Sequence, residues 1–329
     1  MIPEDVGIVA IGRNEGERLV RCLESIRSAA GNIADKIVYV DSGSTDGSIA
    51  AAERIGARVV ALDLSRPFTA ARARNEGFAA LKVMRPEVRF VQFIDGDCIL
   101  VRGWLDEARN FIGRHSDIAV VCGRRRELHP EASVYNLLCD IEWNTPVGEA
   151  TTCGGDTLVR VEAFEKVGGF RPQLIAGEEP ELCVRLRQAG WKIWRLDADM
   201  TQHDAAMTRL RQFWTRAARA GYACAEVSRL HQDSPYGIWR RETWSSLFWG
   251  GFLPAGICLG SLVSHAALFG LLAYPLQICR IALARGIRST ESWKYAIFMT
   301  LAKFAEFQGI LMLYWRQLGR RNARLIEYK

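Results

Sequence analysis

No C-x-x-C pair occurs in this chain. Its nine cysteines never come closer than fourteen positions, which argues against a zinc ribbon or a thioredoxin-like site. They read instead as reduced, mostly buried thiols of a cytoplasmic protein. No apolar signal segment precedes the first strand, which begins almost at Met1, so the soluble part is expected to stay in the cytoplasm. The turn after that strand, Gly12-Arg-Asn-Glu-Gly16, lacks the G-x-G-x-x-G spacing. A dinucleotide-binding Rossmann domain is therefore disfavoured. Finally, residues 243–279 contain no Asp, Glu, Lys or Arg over 37 positions. One membrane span needs about 20 apolar residues, so this run is too long for one crossing and slightly short for two.

A chain of 329 residues has room for one large domain plus an appendage. We expect a domain over residues 1–228 and a helical, membrane-associated region over 229–329. Gly250-Gly251, Pro254 and Pro275 suit a bent hairpin or a re-entrant pair. Arginines on both sides of it (Arg240, Arg241, Arg280, Arg285, Arg288) put both ends on the cytoplasmic side of the inner membrane, as two spans would. The formal net charge is +6, and much of the excess flanks apolar segments near the end, from Arg280 through Lys294 to Arg316, Arg320, Arg321, Arg324 and Lys329. That placement fits an anionic membrane surface better than nucleic acid. Residues 293–315 are apolar and aromatic but interrupted by Lys294, Lys303 and Glu306, which suits a helix in the interface or packed on the hairpin. Residues 213–222 mix aromatics with arginines and are a candidate lining for an acceptor path.

Before residue 228 the pattern alternates. Apolar runs at 6–11, 36–40, 58–62, 90–94 and 118–122 read as strands, with helical periodicity between them over 19–26, 46–55, 70–81 and 104–112. Ser44 or Thr45 is a candidate cap for the second helix and Gly56 suits its end. Alternation at this interval implies right-handed crossovers and a mainly parallel, Rossmann-like α/β sheet. Residues 127–149 form a connection long enough to suspect a binding loop. A helix over 161–167 stops at Gly168-Gly169. Pro180 fits a first helical position, which puts Glu179 at or just before a helix start. Leu182, Leu186 and Ala189 supply that helix with its buried stripe, and residues 192–196 form a strand leading towards His203.

The richest stretch is Val91-Gln-Phe-Ile-Asp95-Gly-Asp97. It is an apolar run ending in two carboxylates one residue apart. In an open α/β sheet ligands bind past the carboxyl ends of strands. Two hard oxygen ligands there suit Mg²⁺ or Mn²⁺, which usually arrive with a phosphate. The residues alone are equally consistent with a solvated Asp-Gly turn.

Several further motifs follow in order: Ala10-Ile-Gly-Arg-Asn-Glu15, Val40-Asp-Ser-Gly-Ser-Thr-Asp46, Ala73-Arg-Asn-Glu-Gly77, Gly154-Gly-Asp156, Gly177-Glu-Glu-Pro-Glu-Leu182, Gly190-Trp191 and His203. Together with Ile94-Asp-Gly-Asp97 they resemble glycosyltransferase family 2, whose members have the A-type (GT-A) nucleotide-diphospho-sugar transferase fold. The resemblance covers about residues 6–225. It implies that Ile11, Arg13 and Glu15 at the first strand end, with Asp41, hold the base and ribose of a nucleoside diphosphate sugar, UDP being the default. It further implies that Arg74 lies near the nucleotide, that Asp97 binds the metal with Asp95 beside the ribose or metal, and that His203 adds a metal or phosphate contact. Gly155, Asp156, Trp191 and residues 127–149 would shape the sugar and acceptor pocket. Glu179 matches the catalytic base, although Glu178-Glu179 stands where most relatives have Glu-Asp. As residue chemistry, Asp41 also suits a turn cap, Arg74 a solvated helix arginine and His203 a structural histidine, while Arg124-Arg-Arg126 could touch phosphate of donor or lipid or form a solvated basic turn.

The implied reaction is metal-dependent transfer of a sugar, with inversion, to a lipid-linked or glycan acceptor at the cytoplasmic membrane face, in polysaccharide or glycolipid synthesis. A sugar-1-phosphate nucleotidyltransferase would share the sheet, but it usually carries a Gly-rich loop with a lysine near the start, which Gly12-Arg-Asn-Glu-Gly16 is not. A catalytically silent membrane scaffold would have no need of Asp97, Glu179 and His203.

Overall fold

The computed structural model describes residues 3–30 and 35–318; Arg320, Arg321, Arg324 and Lys329 of the basic tail lie outside these. The chain divides into two compact units, residues 1–206 and 207–329.

The first unit is built on nine strands: β1 Val6–Gly12, β2 Ile37–Asp41, β3 Arg58–Ala61, β4 Phe90–Asp95, β5 Cys98–Leu100, β6 Ile118–Glu127, β7 Gly148–Ala150, β8 Thr157–Arg160 and β9 Lys192–His203. They form one sheet in the order β3-β2-β1-β4-β8-β6-β9-β5, with β7 also on β9. The pairs among β1 to β4 are parallel, as is β6 with β9, while β5, β7 and β8 run antiparallel to their neighbours. The mainly parallel α/β sheet expected from the alternation is present. Its strands read as continuous apolar runs because helices cover both faces. Leu19, Cys22, Leu23 and Ile26 of helix Glu17–Ala30 are fully buried on one face, and Leu182, Cys183 and Leu186 of helix Glu178–Gln188 on the other. Burying one such aliphatic side chain contributes about 1.5–3 kcal/mol.

Local differences from the sequence reading have physical causes. Helix Ser48–Ile55 is capped by Gly47 in the left-handed region with no side-chain cap. Ser44 and Thr45 are engaged elsewhere, by the backbone N–H and side-chain oxygen of Asn14 at 2.9 and 2.7 Å. Gly56 does end the helix, at φ 96°. Pro180 lies in the first turn but not at its first position, which is Glu178. Ala189 is exposed, and Cys183 and Val184 complete the stripe instead. Residues 127–149 contain helix Val134–Glu142, started by Ser133 accepting from the Asn136 N–H. Strand β6 runs five residues further than its apolar core predicted, so Arg124, Arg125 and Arg126 are on a strand and not in a turn.

In the second unit, helix Leu210–Leu230 packs along helix Thr290–Leu318. At Gly221 a side chain would collide with the backbone of Glu306, and at Gly309 with that of Ala218. Small residues thus permit backbone-to-backbone contact. The sequence reading drew the boundary at residue 228; the contacts divide the chain after residue 206, so helix Leu210–Leu230 falls in this unit, with Phe213, Ala217, Ala218 and Tyr222 buried. Helix Arg240–Leu247 continues through a π-turn, Phe248–Phe252, into Leu253–Ser261. The chain then reverses into His265–Leu272 and Ala273–Arg285. Leu262 and Val263 at this reversal are 83% and 91% exposed. His265–Arg285 and Thr290–Leu318 are each long and apolar enough to cross a membrane.

Candidate active site

Strand direction assembles the site. Parallel β1, β2, β4, β6 and β9 all deliver their last residues to one edge of the sheet. Antiparallel β8 brings its beginning there, because Thr157 pairs with Phe93. Asp156 therefore meets Asp95, whose N–H donates to Asp156 Oδ1 at 3.0 Å.

Two arginines organise the carboxylates. Arg74, from helix Ala70–Met84, reaches Asp95 Oδ1 at 2.8 Å, Glu178 Oε1 at 2.8 Å and Glu179 Oε1 at 3.0 Å. Burial disfavours its charge, but Glu179, Asp95 and Glu178 outweigh that and push its pKa above the ordinary arginine range. Arg125 lies 3.1 Å from Asp95 Oδ2 and 2.8 Å from Asp156 Oδ2, which also accepts from Thr201 Oγ1 at 2.6 Å. Burial raises the Asp95 pKa, yet Arg74 and Arg125 overcome it and hold this carboxyl below the usual range. Glu179 behaves oppositely. Burial and the adjacent Glu178 charge, only partly offset by Arg74, push it up to about 7. A side chain at Gly155 would collide with Arg74 and lie 2.9 Å from Asp95 and 3.1 Å from Glu179. Gly155 is thus the floor on which these groups converge.

One residue beyond Gly96, Asp97 Oδ2 stands 3.3 Å from His203 Nε2. Behind the imidazole, Nδ1 is buried with no hydrogen-bond partner and faces Glu127 Oε2 at 3.8 Å. Glu127 is itself anchored by the Ala205 N–H at 3.1 Å and by Asn136 Nδ2 at 3.1 Å. Burial lowers the His203 pKa against the pull of Glu127, so the ring is neutral at neutral pH. With a cation held at Asp97, the carboxylate behind Nδ1 would keep the proton there and leave the Nε2 lone pair for the cation, the arrangement of a metal-binding histidine. Cys98 also falls in this cluster, but burial raises its thiol pKa well above the ordinary value. Asp97 and His203 thus fit a divalent cation.

At the end of β1, the Ile11 carbonyl accepts from the Gly96 N–H at 2.7 Å, and Glu15 lies beside Gly96 with its carboxylate 2.8 Å from Arg18. Arg13 is exposed, with its guanidinium 4.5 Å from the Phe68 ring centre. Asp41 closes its own turn: it accepts from Tyr39 OH at 3.0 Å and from the Gly43 and Ser44 N–H groups at 2.9 and 2.8 Å. Trp191 does not join the site. It precedes a strand that enters at the opposite edge, and its ring lies 5.8 Å from Arg160, which pairs with Phe90 at the beginning of β4. Five residues of strand separate Phe90 from Asp95, about 17 Å.

The sequence reading missed Thr201, held Glu127 only as the start of a loop, and left Arg125 between a phosphate contact and a solvated turn. Their signal was alternation: on an extended β6 and β9, every second side chain turns to the site.

Comparison with known proteins agrees with this geometry. Residues 8–168 match the model of glycosyl transferase family 2. The pre-mycofactocin glycosyltransferase of Mycobacterium tuberculosis is 28% identical over 303 residues, covering 88% of this chain and 59% of that protein. The O-antigen chain rhamnosyltransferase RfbN of Salmonella typhimurium is 26% identical over 198 residues, 54% of this chain and 60% of that one. The chain thus spans about three fifths of the length of these relatives. Among solved structures, the mannosyltransferase PcManGT from Pyrobaculum calidifontis, in complex with GDP-Man and Mn²⁺, shares the fold at a TM-score of 0.63. It is 16% identical and covers 95% of this chain and 88% of its own. Sheet topology, carboxylate edge and family match agree: residues 8–168 match glycosyltransferase family 2, and the first unit has the A-type fold.

Proposed function

We propose that the chain transfers a sugar from a nucleoside diphosphate donor to an acceptor hydroxyl in one displacement, with inversion at the anomeric carbon. The observation that carries this reading is that one sheet edge holds both Glu179, beside Gly155 and Asp95, and the Asp97–His203 pair that follows Gly96. Glu179 is the base and Glu178 its support. The Glu179 side chain is 14% exposed, whereas Glu178 is 5% exposed and spent on Arg74. Glu179 accepts the acceptor proton as that oxygen attacks, and the diphosphate departs from the opposite face. Asp97 and His203 hold the divalent cation, which would neutralise charge on the departing diphosphate. A nitrogen ligand in the set favours Mn²⁺ over Mg²⁺. Ile11, Arg13 and Glu15 line the nucleotide end, and Asp41 acts there through the turn it closes.

The acceptor is lipid-linked or a glycan, met at the cytoplasmic face of the membrane during surface polysaccharide or glycolipid assembly. Support comes from the uncharged hairpin, whose tip exposes Leu262 and Val263, and from a relative named for O-antigen chain transfer. Purified protein in nanodiscs, offered UDP- and GDP-sugars with a lipid extract, should release nucleoside diphosphate only with Mn²⁺ or Mg²⁺ present. Release with no divalent ion would overturn the metal assignment. In flotation with anionic vesicles, the wild type should co-migrate. Leu262→Asp with Val263→Asp should remain at the bottom, since each buried carboxylate costs about 2.5–3.5 kcal/mol in a bilayer core.

A further inference from the structure

Strand β9 does not run evenly beside β6. Cys122 pairs with Arg195 and Arg124 with Asp199, so the single residue Gly123 faces the three residues 196–198. A bulge of this kind re-aims the side chains around it. Gly123 fixes it, because a side chain there would lie 2.6 Å from the Ala198 carbonyl and 2.7 Å from the Trp104 ring. A cavity of about 340 Å³ opens at the bulge, lined by Arg124, Arg126, Asn144, Arg195 and the acids Asp197 and Asp199.

Two of the three arginines have carboxylate partners. Arg124 Nη2 is 2.9 Å from Asp140 Oδ2, and Arg126 Nε is 2.9 Å from Asp199 Oδ1. Arg195 has no carboxylate partner among the described residues. It is 3% exposed, Nη1 donates to the Leu196 carbonyl at 3.3 Å, and the buried Nε has no hydrogen-bond partner. Arginine cannot shed its proton to escape such a position. A buried, uncompensated guanidinium weakens a fold unless an anion completes it, and its planar fork matches two oxygens of one oxyanion. Asp199 is already matched by Arg126, and Asp197 is exposed to water at the rim.

We propose that this cavity is an oxyanion site that takes a phosphoryl or carboxylate group on Arg195, with Asn144 and Arg126 at its mouth. It is distinct from the carboxylate cluster, which is served by Arg125 from the alternate face of β6. It also stands apart from the transfer reaction, so either can fail alone.

The test uses the full chain in detergent, in chloride buffer with EDTA. Inorganic phosphate should raise the melting temperature in a saturable way and bind measurably by calorimetry. Arg195→Met should melt no lower than wild type without phosphate and should bind phosphate at least tenfold more weakly. Asn144→Asp, which leaves the buried arginine in place, should weaken binding by a similar factor. Glycerol 3-phosphate binding tenfold tighter than phosphate would identify a group carried on a larger ligand; equal affinity would identify the free ion. Acetate in place of phosphate gives the carboxylate arm. Phosphate affinity equal in wild type, Arg195→Met and Asn144→Asp would overturn the proposal, as would no binding at all. A large fall in melting temperature of phosphate-free Arg195→Met would also overturn it, because Arg195 would then be structural. Mn²⁺-dependent UDP binding, measured in parallel, reports the donor site separately.

Discussion

Replacing Glu179 by glutamine should lower turnover at least about 10²-fold, the ordinary contribution of a positioned base, while donor binding changes little. The same residue should write its titration into the rate. Burial and the Glu178 charge hold the Glu179 pKa at about 7, and the group accepts a proton only when ionised. Thus kcat/KM of the wild type should climb with pH along a limb centred near 7 and then level off. Glu179→Gln should show a low, flat profile over that range. Linkage runs the other way for stability. A folded pKa above the unfolded carboxylate value gives stability that is complete below about 4.5 and is lost as pH rises through 7. Glu178→Gln should keep the limb but displace it downwards, because a neighbouring negative charge is gone, and should loosen Arg74, which Glu178 holds at 2.8 Å. Full activity in Glu179→Gln would move the base to Glu178 or remove it.

The second large effect belongs to Asp97. Asp97→Asn removes the carboxylate 3.3 Å from His203 Nε2, and we expect at least about a 10²-fold fall in turnover together with loss of Mn²⁺-dependent UDP binding in calorimetry. Metal-independent nucleotide binding should survive, since Arg74 and the end of β1 are untouched. Asp95→Asn should act differently. Its two oxygens are occupied by Arg74 and Arg125, so the change should release both arginines and lower the melting temperature. Undiminished Mn²⁺ stimulation in Asp97→Asn would sink the assignment of that carboxylate.

Much of this was legible in the chain because the signals were local and periodic. The strand runs, the helix stripe of Leu19, Cys22, Leu23 and Ile26, and the abrupt Asp95-Gly-Asp97 ending each follow from backbone period and burial. What escaped depends on strand length and direction, which no short window encodes. Arg125 looked like the middle of a basic turn until β6 carried it to the site edge. Trp191 looked like a pocket wall because Gly190-Trp191 stands in the family's motif order, yet the twelve-residue β9 runs between it and the site edge at His203. Glu127 had no motif at all; only the parallel pairing of β6 with β9, which puts Glu127 opposite His203, gives it a place.

The glycine crossing of Leu210–Leu230 with Thr290–Leu318 has a practical outcome for anyone wishing to work without detergent. A fragment stopped near residue 230 would keep the first of these helices and strip away its mate. Phe213, Ala217, Ala218 and Tyr222 would then lie bare, and the fragment should clump. Stopping at residue 206 severs the chain where the two units part, and should yield a soluble nucleotide-binding half.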